Sequence, residues 1–150
     1  MKTTRLIQII LVFAFLLFCS LIVSAGEETT RVEVRMADFE PFPGAKQVES
    51  SQIEWKIFIA AEASFTNKDF ASVAAVGDLQ GAPGLELILT EEAAARMKEL
   101  SGQWIGKPMA ILVNDEVVLA PIVQAELGER LIIQGRFTME ETEQLATNFR

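Results

Sequence analysis

The sequence predicts an α+β domain of two layers, in which a mostly antiparallel sheet carries about three helices on one face. Three observations indicate this class. Several segments alternate polar and apolar side chains, which is the period of a half-buried strand. Three segments with helical spacing each begin at a threonine that follows an apolar residue. A short polar turn, Asn114-Asp115, separates two apolar segments and predicts a β-hairpin.

The first predicted strand is Arg31 to Met36, where polar and apolar side chains alternate. The next segment contains two prolines and a Pro-Gly pair, which remove backbone donors and favour turns. We therefore predict a loop through Phe39 to Ser51. Alternation returns from Ile53 to Phe65 and predicts a second strand.

Threonine marks the start of each predicted helix, because its side-chain oxygen accepts a hydrogen bond from an otherwise unpaired backbone N–H. The three positions are Thr66, Thr90 and Thr138. Glu141 lies three residues after Thr138 and completes a capping-box pattern. Apolar side chains then recur at helical spacing and predict core-facing stripes: Phe70, Val73 and Ala74 in the first helix, Ala93, Met97 and Leu100 in the second, and Leu145, Ala146 and Phe149 in the third.

Between the second and third helices, Met109 to Val113 and Glu116 to Leu119 predict a pair of strands. The connecting residues, Asn114 and Asp115, tolerate the positive φ that a two-residue hairpin turn needs. Leu131 to Ile133 predicts one more short strand before the third helix. These elements complete a largely antiparallel sheet.

The first 25 residues have the pattern of an export signal. Two basic residues are followed by an uncharged apolar run from Leu6 to Val23 and then by small residues that suit signal peptidase. We therefore predict cleavage between Ala25 and Gly26. The alternative is an uncleaved membrane anchor, because the run reaches the lower limit of a membrane-spanning helix. Both interpretations place residues 26–150 outside the cytoplasm, in the periplasm or an equivalent compartment.

Residues 26–150 are predicted to form one domain, large enough to bury a core without disulfides. The single cysteine, Cys19, lies in the export segment, so disulfides and thiolate sites are excluded from the domain. All 21 acidic residues and 11 of the 13 basic ones lie after Ala25, which gives this part a net charge of −10. Because such a charge repels phosphate groups, we expect no nucleic acid as a partner, and a membrane only through an uncleaved N-terminal segment.

The chain contains no histidine and no tyrosine, which removes the commonest general base and excludes nucleophilic sites of the Ser-His-Asp and Cys-His types. Zinc would have to be held by carboxylates alone, against its usual preference. The acidic pairs Glu91-Glu92 and Glu140-Glu141 fall in predicted first turns, where the helix dipole accounts for them. The sequence therefore predicts no catalytic, metal-binding or cofactor-binding residue, and a domain that is not an enzyme.

Large apolar side chains in predicted loops are the remaining candidates for binding. They are Phe39 and Phe42 in the proline-containing loop, and Trp104 between the second helix and the hairpin. Such residues can form a patch for an extended or unfolded polypeptide. The alternative is that they fold back onto the core.

Four blocks of sequence follow one another in the second half of the chain: Leu87 to Ala93, Ile105 to Ile111, Ala120 to Gln124, and Ile133 to Glu141. In letters, order and spacing they resemble the head region of the first periplasmic domain of SecD. That family usually has Asp-Gly at the hairpin turn, where this chain has Asn114-Asp115. SecD also continues into a bundle of transmembrane helices, whereas this sequence ends at Arg150.

The resemblance implies an extracytoplasmic, non-catalytic module that binds unfolded or translocating polypeptide, or a Sec or other envelope protein. Its chemistry would be non-covalent contact with apolar segments. The alternative is a structural or regulatory domain that binds one specific folded envelope protein, with its acidic faces selecting the partner. A third class, a carboxylate-only enzyme acting on sugars, would need two acids facing each other across a cleft.

Overall fold

Eight strands and two α-helices make up the part of the chain that the computed structural model describes, residues 29–49, 56–77 and 80–149. The strands are β1 (Val32–Asp38), β2 (Ala45–Val48), β3 (Ile57–Ala60), β4 (Phe70–Gly77), β5 (Pro83–Leu89), β6 (Met109–Val113), β7 (Glu116–Leu119) and β8 (Arg130–Gln134). The helices are α1 (Glu91–Gln103) and α2 (Met139–Thr147). The export segment and its cleavage site, Ala25-Gly26, lie outside the described residues and stay predictions.

Strand β1 is the centre of a five-stranded antiparallel sheet with the order β2-β3-β1-β6-β7. Its pairing with β6 places Val34 opposite Ile111. The β6–β7 hairpin confirms the predicted turn, because Asn114 and Asp115 have φ values of 50° and 69°. Both values lie in the left-handed region that a tight turn of this kind requires.

The segment Phe39 to Ser51 is not a loop throughout, as the sequence predicted, because β2 lies within it. The prolines stop β1, and Gly44, with φ of 77°, turns the chain so that β2 pairs with β3. The predicted strand Ile53 to Phe65 is also interrupted. Strand β3 occupies residues 57–60, and Phe65 makes only an isolated bridge with Val34.

A three-stranded antiparallel sheet has the order β4-β5-β8, and it contains the segment predicted as the first helix. That prediction was wrong. Thr66 does begin a helical turn, and its backbone N–H lies 2.8 Å from the Asp69 carboxylate. The turn is a single 3₁₀ turn over Asn67–Asp69, after which the chain extends as β4. Alanine-rich β4 has helical propensity, but its pairing with β5 overrides that preference.

The other two predicted helix starts are confirmed. The Thr90 hydroxyl accepts from Ala93 N at 3.3 Å at the start of α1. At the start of α2, the Thr138 hydroxyl accepts from Glu141 N at 3.1 Å, and Thr138 N donates to the Glu141 carboxylate at 2.7 Å. This reciprocal pair is the capping box that the sequence predicted. The stripe of α1 faces the core through Ala93 and Met97, both of which are buried.

The main core lies between one face of the five-stranded sheet, the inner face of the three-stranded sheet, and the two helices. Its fully buried members include Val34 from β1, Leu87 from β5 and Met97 from α1. A second buried cluster lies on the opposite face of the five-stranded sheet: Ala37, Ile57, Ile59, Ala110, Leu112, Val117 and Ala120. None of these described residues belongs to a helix.

The α+β class and the antiparallel pairing are confirmed, whereas the predicted plan of one sheet with about three helices on one face is not. The structure has two sheets and two α-helices in its described part. The number of helices differs because the segment Phe70–Gly77 forms a strand instead of a helix.

Candidate functional site

Trp104 anchors one end of the five-stranded sheet. It caps the C-terminus of α1, and its backbone N–H lies 3.0 Å from Ser101 O. Its indole Nε1 lies 2.9 Å from Ala37 O on β1 and 3.0 Å from Pro108 O just before β6. One side chain thus ties the end of a helix to two neighbouring strands. Trp104 is therefore half-buried and fixed in place by the core.

Three large apolar side chains are exposed around this anchor. Phe39, Ile105 and Ile122 are 44%, 55% and 46% exposed. Phe39 follows β1, Ile105 follows Trp104 in the chain, and Ile122 forms an isolated bridge with Pro108. We call Phe39, Trp104, Ile105 and Ile122 the apolar end of the domain.

Backbone hydrogen bonds hold the two loops of the apolar end together. Gly106 N donates to Val123 O at 2.8 Å, and Val123 N donates to Lys107 O at 3.0 Å. Met109 N donates to Pro121 O at 2.9 Å. Because these bonds lie on both sides of Ile122, its backbone is fixed beside the segment that carries Ile105. The side chains of Ile105 and Ile122 therefore stand on backbone that is already fixed.

An ion pair borders the apolar end. Lys107 Nζ lies 2.7 Å from Asp38 Oδ2 and 4.7 Å from the centre of the Trp104 ring. The hydrogen bond from Lys107 is the main reason that the pKa of Asp38 lies below its ordinary value, and backbone donors from Glu40 and Phe39 add to it. Asp38 is therefore charged at neutral pH and holds the ammonium over the indole ring.

Two of the three residues that the sequence singled out, Phe39 and Trp104, lie at this end of the domain. Phe42 is half-buried further along the β1–β2 loop, where its carbonyl accepts from Ala45 N at 3.0 Å. From the sequence, Trp104 was predicted to be a loop residue that could contact a polypeptide directly. The structure gives its indole N–H two backbone partners and places the Lys107 ammonium over its ring, so the side chain mainly anchors the surface.

Ile105 and Ile122 are the apolar residues that sequence reasoning missed. Each is the most exposed large apolar residue of its segment. A signal was present, since Ile105 precedes Gly106 and Ile122 follows Pro121, and both neighbours interrupt regular structure. Exposure itself could not be predicted, because an isoleucine in a short irregular segment is more often buried.

A cleft of about 390 Å³ lies between the β6–β7 hairpin and α2. Val113, Val118 and Leu145 are among its apolar lining residues, while Glu116 and Glu141 are the acids that line it. The Glu141 carboxylate is already engaged by the backbone of Thr138 as part of the helix cap. This arrangement leaves the cleft without the two free, opposed carboxylates that glycoside hydrolysis uses.

Within residues 29–49, 56–77 and 80–149, no cluster of three or more His, Cys, Asp or Glu side chains is placed to hold a metal ion. No helix among these residues is long and apolar enough to span a membrane.

Residues 45–150 match the family described as SecDF, P1 head subdomain. The chain is 37% identical over 82 residues to the protein translocase subunit SecDF of Thermus thermophilus, covering 54% of this chain and 11% of that protein. It is 33% identical over 94 residues to the SecD subunit of Elusimicrobium minutum, covering 62% of this chain and 20% of that protein. The chain thus spans a fifth or less of the length of these relatives.

Solved structures show the same fold. A crystal structure of SecDF in a super-membrane-facing form matches with a TM-score of 0.65 at 23% identity, over 80% of this chain and 18% of that one. A structure described as that of a membrane component SecDF that enhances protein export matches with a TM-score of 0.64 at 22% identity, over 80% of this chain and 61% of that one.

Proposed function

The chain belongs to the SecDF P1 head subdomain family, and from this membership we propose that it binds unfolded segments of exported polypeptide at its apolar end, outside the cytoplasm. This location also follows from the predicted cleavage between Ala25 and Gly26. Members of the family are parts of a protein-export component, so the prediction that the chain is not an enzyme is confirmed by its family.

The observation that supports this proposal is the exposure of Phe39, Ile105 and Ile122 around a fixed Trp104. Three of the five large apolar side chains that are exposed in the described part of the chain stand at this one end. Because apolar side chains grouped on a surface often mark a binding site, this end is the best candidate for contact with a polypeptide.

The binding chemistry follows from what an unfolded polypeptide exposes. Its apolar side chains are still in water, and covering each half-exposed residue of the apolar end would contribute about 1 kcal/mol. The exposed ring of Phe39 can accept side chains of many shapes. The preformed backbone on both sides of Ile122 reduces the entropy lost on binding. A folded protein hides its own apolar segments and is bound much more weakly.

The experiment compares affinities of the full chain and of a double variant, Phe39→Ser with Ile122→Ser, for a disulfide-containing protein kept unfolded by reduction and alkylation. We expect the double variant to bind about thirtyfold more weakly, since about 2 kcal/mol of apolar contact is lost. Ile132→Ser is the matched control, because Ile132 is 54% exposed but lies on β8 of the other sheet. An equal loss in the control, or none in the double variant, would reject the apolar end as the site.

A second candidate is a domain that binds one specific folded envelope protein through the same surface. The observation that favours it is the Lys107–Asp38 ion pair at the border, because an apolar centre with a polar rim is typical of interfaces between folded proteins. Crosslinking in the cell envelope separates the two proposals. Many crosslinked polypeptides would support capture of unfolded clients, and one stoichiometric partner would support the second candidate.

A further inference from the structure

Strand β4 forms one edge of the three-stranded sheet. At eight residues, Phe70–Gly77, it is the longest strand in the described part of the chain, and it pairs on one side only, with β5. Its sequence, FASVAAVG, contains no charged residue and no proline. Natural proteins usually protect edge strands by making them short or by placing lysine or proline on them.

The other edge strands in the described part follow that rule. Strands β2 and β7 have four residues each, and β2 carries an exposed Lys46. Strand β8 has five residues and begins with Arg130, which pairs with Glu86 on β5. Strand β4 is therefore the exception among the four edges of the two sheets.

The pairing of β5 shows which backbone groups of β4 face outward. Residues of an antiparallel strand point their N–H and C=O groups alternately to either side. Leu89 N donates to Glu129 O at 2.8 Å, towards β8, so Glu86 and Ile88 point towards β4. Glu86 lies opposite Ala74, and Ile88 lies opposite Ser72, so Ser72 and Ala74 point their backbone groups towards β5. The alternate residues, Val73 and Ala75, therefore point their backbone groups away from β5.

We propose that this edge of β4 binds an extended segment of unfolded polypeptide as an added strand. The inference rests on the proposed function and gives it a second contact, in which the client's main chain is bound at Val73 and Ala75. An unfolded polypeptide brings free N–H and C=O groups whatever its sequence, and strand addition uses those groups for affinity.

Two features favour a client strand over a second copy of this chain. The domain carries a net charge of −10, which opposes association with itself and attracts basic segments. The exposed residues of β4 are Ala71, Ser72, Ala74 and Gly77, and their small size leaves room for larger side chains on an added strand. The edge thus suits a partner of variable sequence.

The test is amide hydrogen exchange of the full chain, measured by NMR with and without an extended peptide of alternating threonine and valine that carries a lysine at each end. We expect the amides of Val73 and Ala75 to exchange rapidly in the free protein and at least about tenfold more slowly with saturating peptide. The same peptide N-methylated at every second residue cannot form one side of the ladder and should give no protection. An Ala75→Pro variant, which removes an outward donor, should also lose the protection at Val73.

Three outcomes would overturn the inference. Protection of Val73 and Ala75 in the free protein that grows with protein concentration would show pairing with a second copy. Equal protection by the N-methylated peptide would show that no ladder forms. Binding with changes only at Phe39, Ile105 and Ile122 would reject the edge while leaving the proposed function intact.

Discussion

Replacing Phe65 with alanine is expected to lower the free energy of unfolding by about 4 kcal/mol, within the range of buried phenylalanine truncations. Phe65 is 1% exposed and belongs to the main core. Its ring lies 5.1 Å from the guanidinium carbon of Arg96 on α1, and its carbonyl accepts from Val34 N at 3.0 Å. The substitution removes the ring from a place where β1, α1 and the 3₁₀ turn meet. Urea unfolding followed by circular dichroism measures the loss.

The matched control is Phe39→Ala, which makes the same chemical change at a residue that is 44% exposed. We expect it to cost less than about 1 kcal/mol, because an exposed side chain leaves no cavity when it is shortened. Similar losses for the two variants would contradict the placement of Phe65 in the core and of Phe39 on the surface.

A second large loss of stability is expected when Glu33 is replaced. Glu33 is a charged residue on the central strand, and it is only 3% exposed. Its carboxylate pairs with Arg31 and accepts from Arg35 at 2.7 and 2.8 Å. Arg35 also donates to the carbonyls of Ala60 and Ala61. Glu33→Gln leaves the partly buried Arg35 without a counter-charge, and we expect a loss of about 3 kcal/mol. Glu143→Gln on the exposed face of α2 is the control and should change stability by less than about 0.5 kcal/mol.

The pH dependence of this effect has a defined sign. Burial opposes ionisation of Glu33, but hydrogen bonds and charge from Arg35 and Arg31 outweigh it and hold the pKa below its ordinary value of 4.5. A carboxylate with a lowered pKa in the folded state stabilises the protein above its unfolded pKa. That contribution is lost as the pH falls through the lowered value. The difference between wild type and Glu33→Gln should therefore be full at neutral pH and shrink below about pH 4.5. A difference that grew on acidification would contradict the ion-pair account.

The sequence was sufficient to predict those features of the fold that depend on one short motif. The Thr138–Glu141 capping box and the Asn114-Asp115 turn each depend on contacts within a few residues, and both are present. The start of α1 at Thr90 is of the same kind. Such features depend little on the rest of the fold, which is why they could be predicted.

Strands β4 and β2 were not predicted, because each forms by pairing with another strand rather than from a local sequence signal. Residues 70–77 have the small side chains and spacing of a helix, and only pairing with β5 makes them a strand. Strand β2 likewise depends on β3, which follows it in the chain. The helix signal at Thr66 was real but described a single turn.

The candidate site was predictable in part for a related reason. Phe39 stood out as a large apolar residue in a predicted loop, and it is exposed rather than folded back onto the core. Trp104 stood out by its size, but its hydrogen bond to Ala37 joins positions that are far apart in the chain and could not be predicted locally. The segments that carry Ile105 and Ile122 are joined by backbone hydrogen bonds between residues 106–109 and 121–123, so no local pattern identified them.

The central claim is that the apolar end binds polypeptide only when the polypeptide is unfolded. Chemical-shift mapping of the full chain tests it most directly, with one disulfide-containing protein added first in its reduced and alkylated form and then in its native form. We expect shifts at Phe39, Ile105 and Ile122 with the unfolded form and none with the native form. Equal shifts with both forms, or no shift at these residues with the unfolded form, would contradict it.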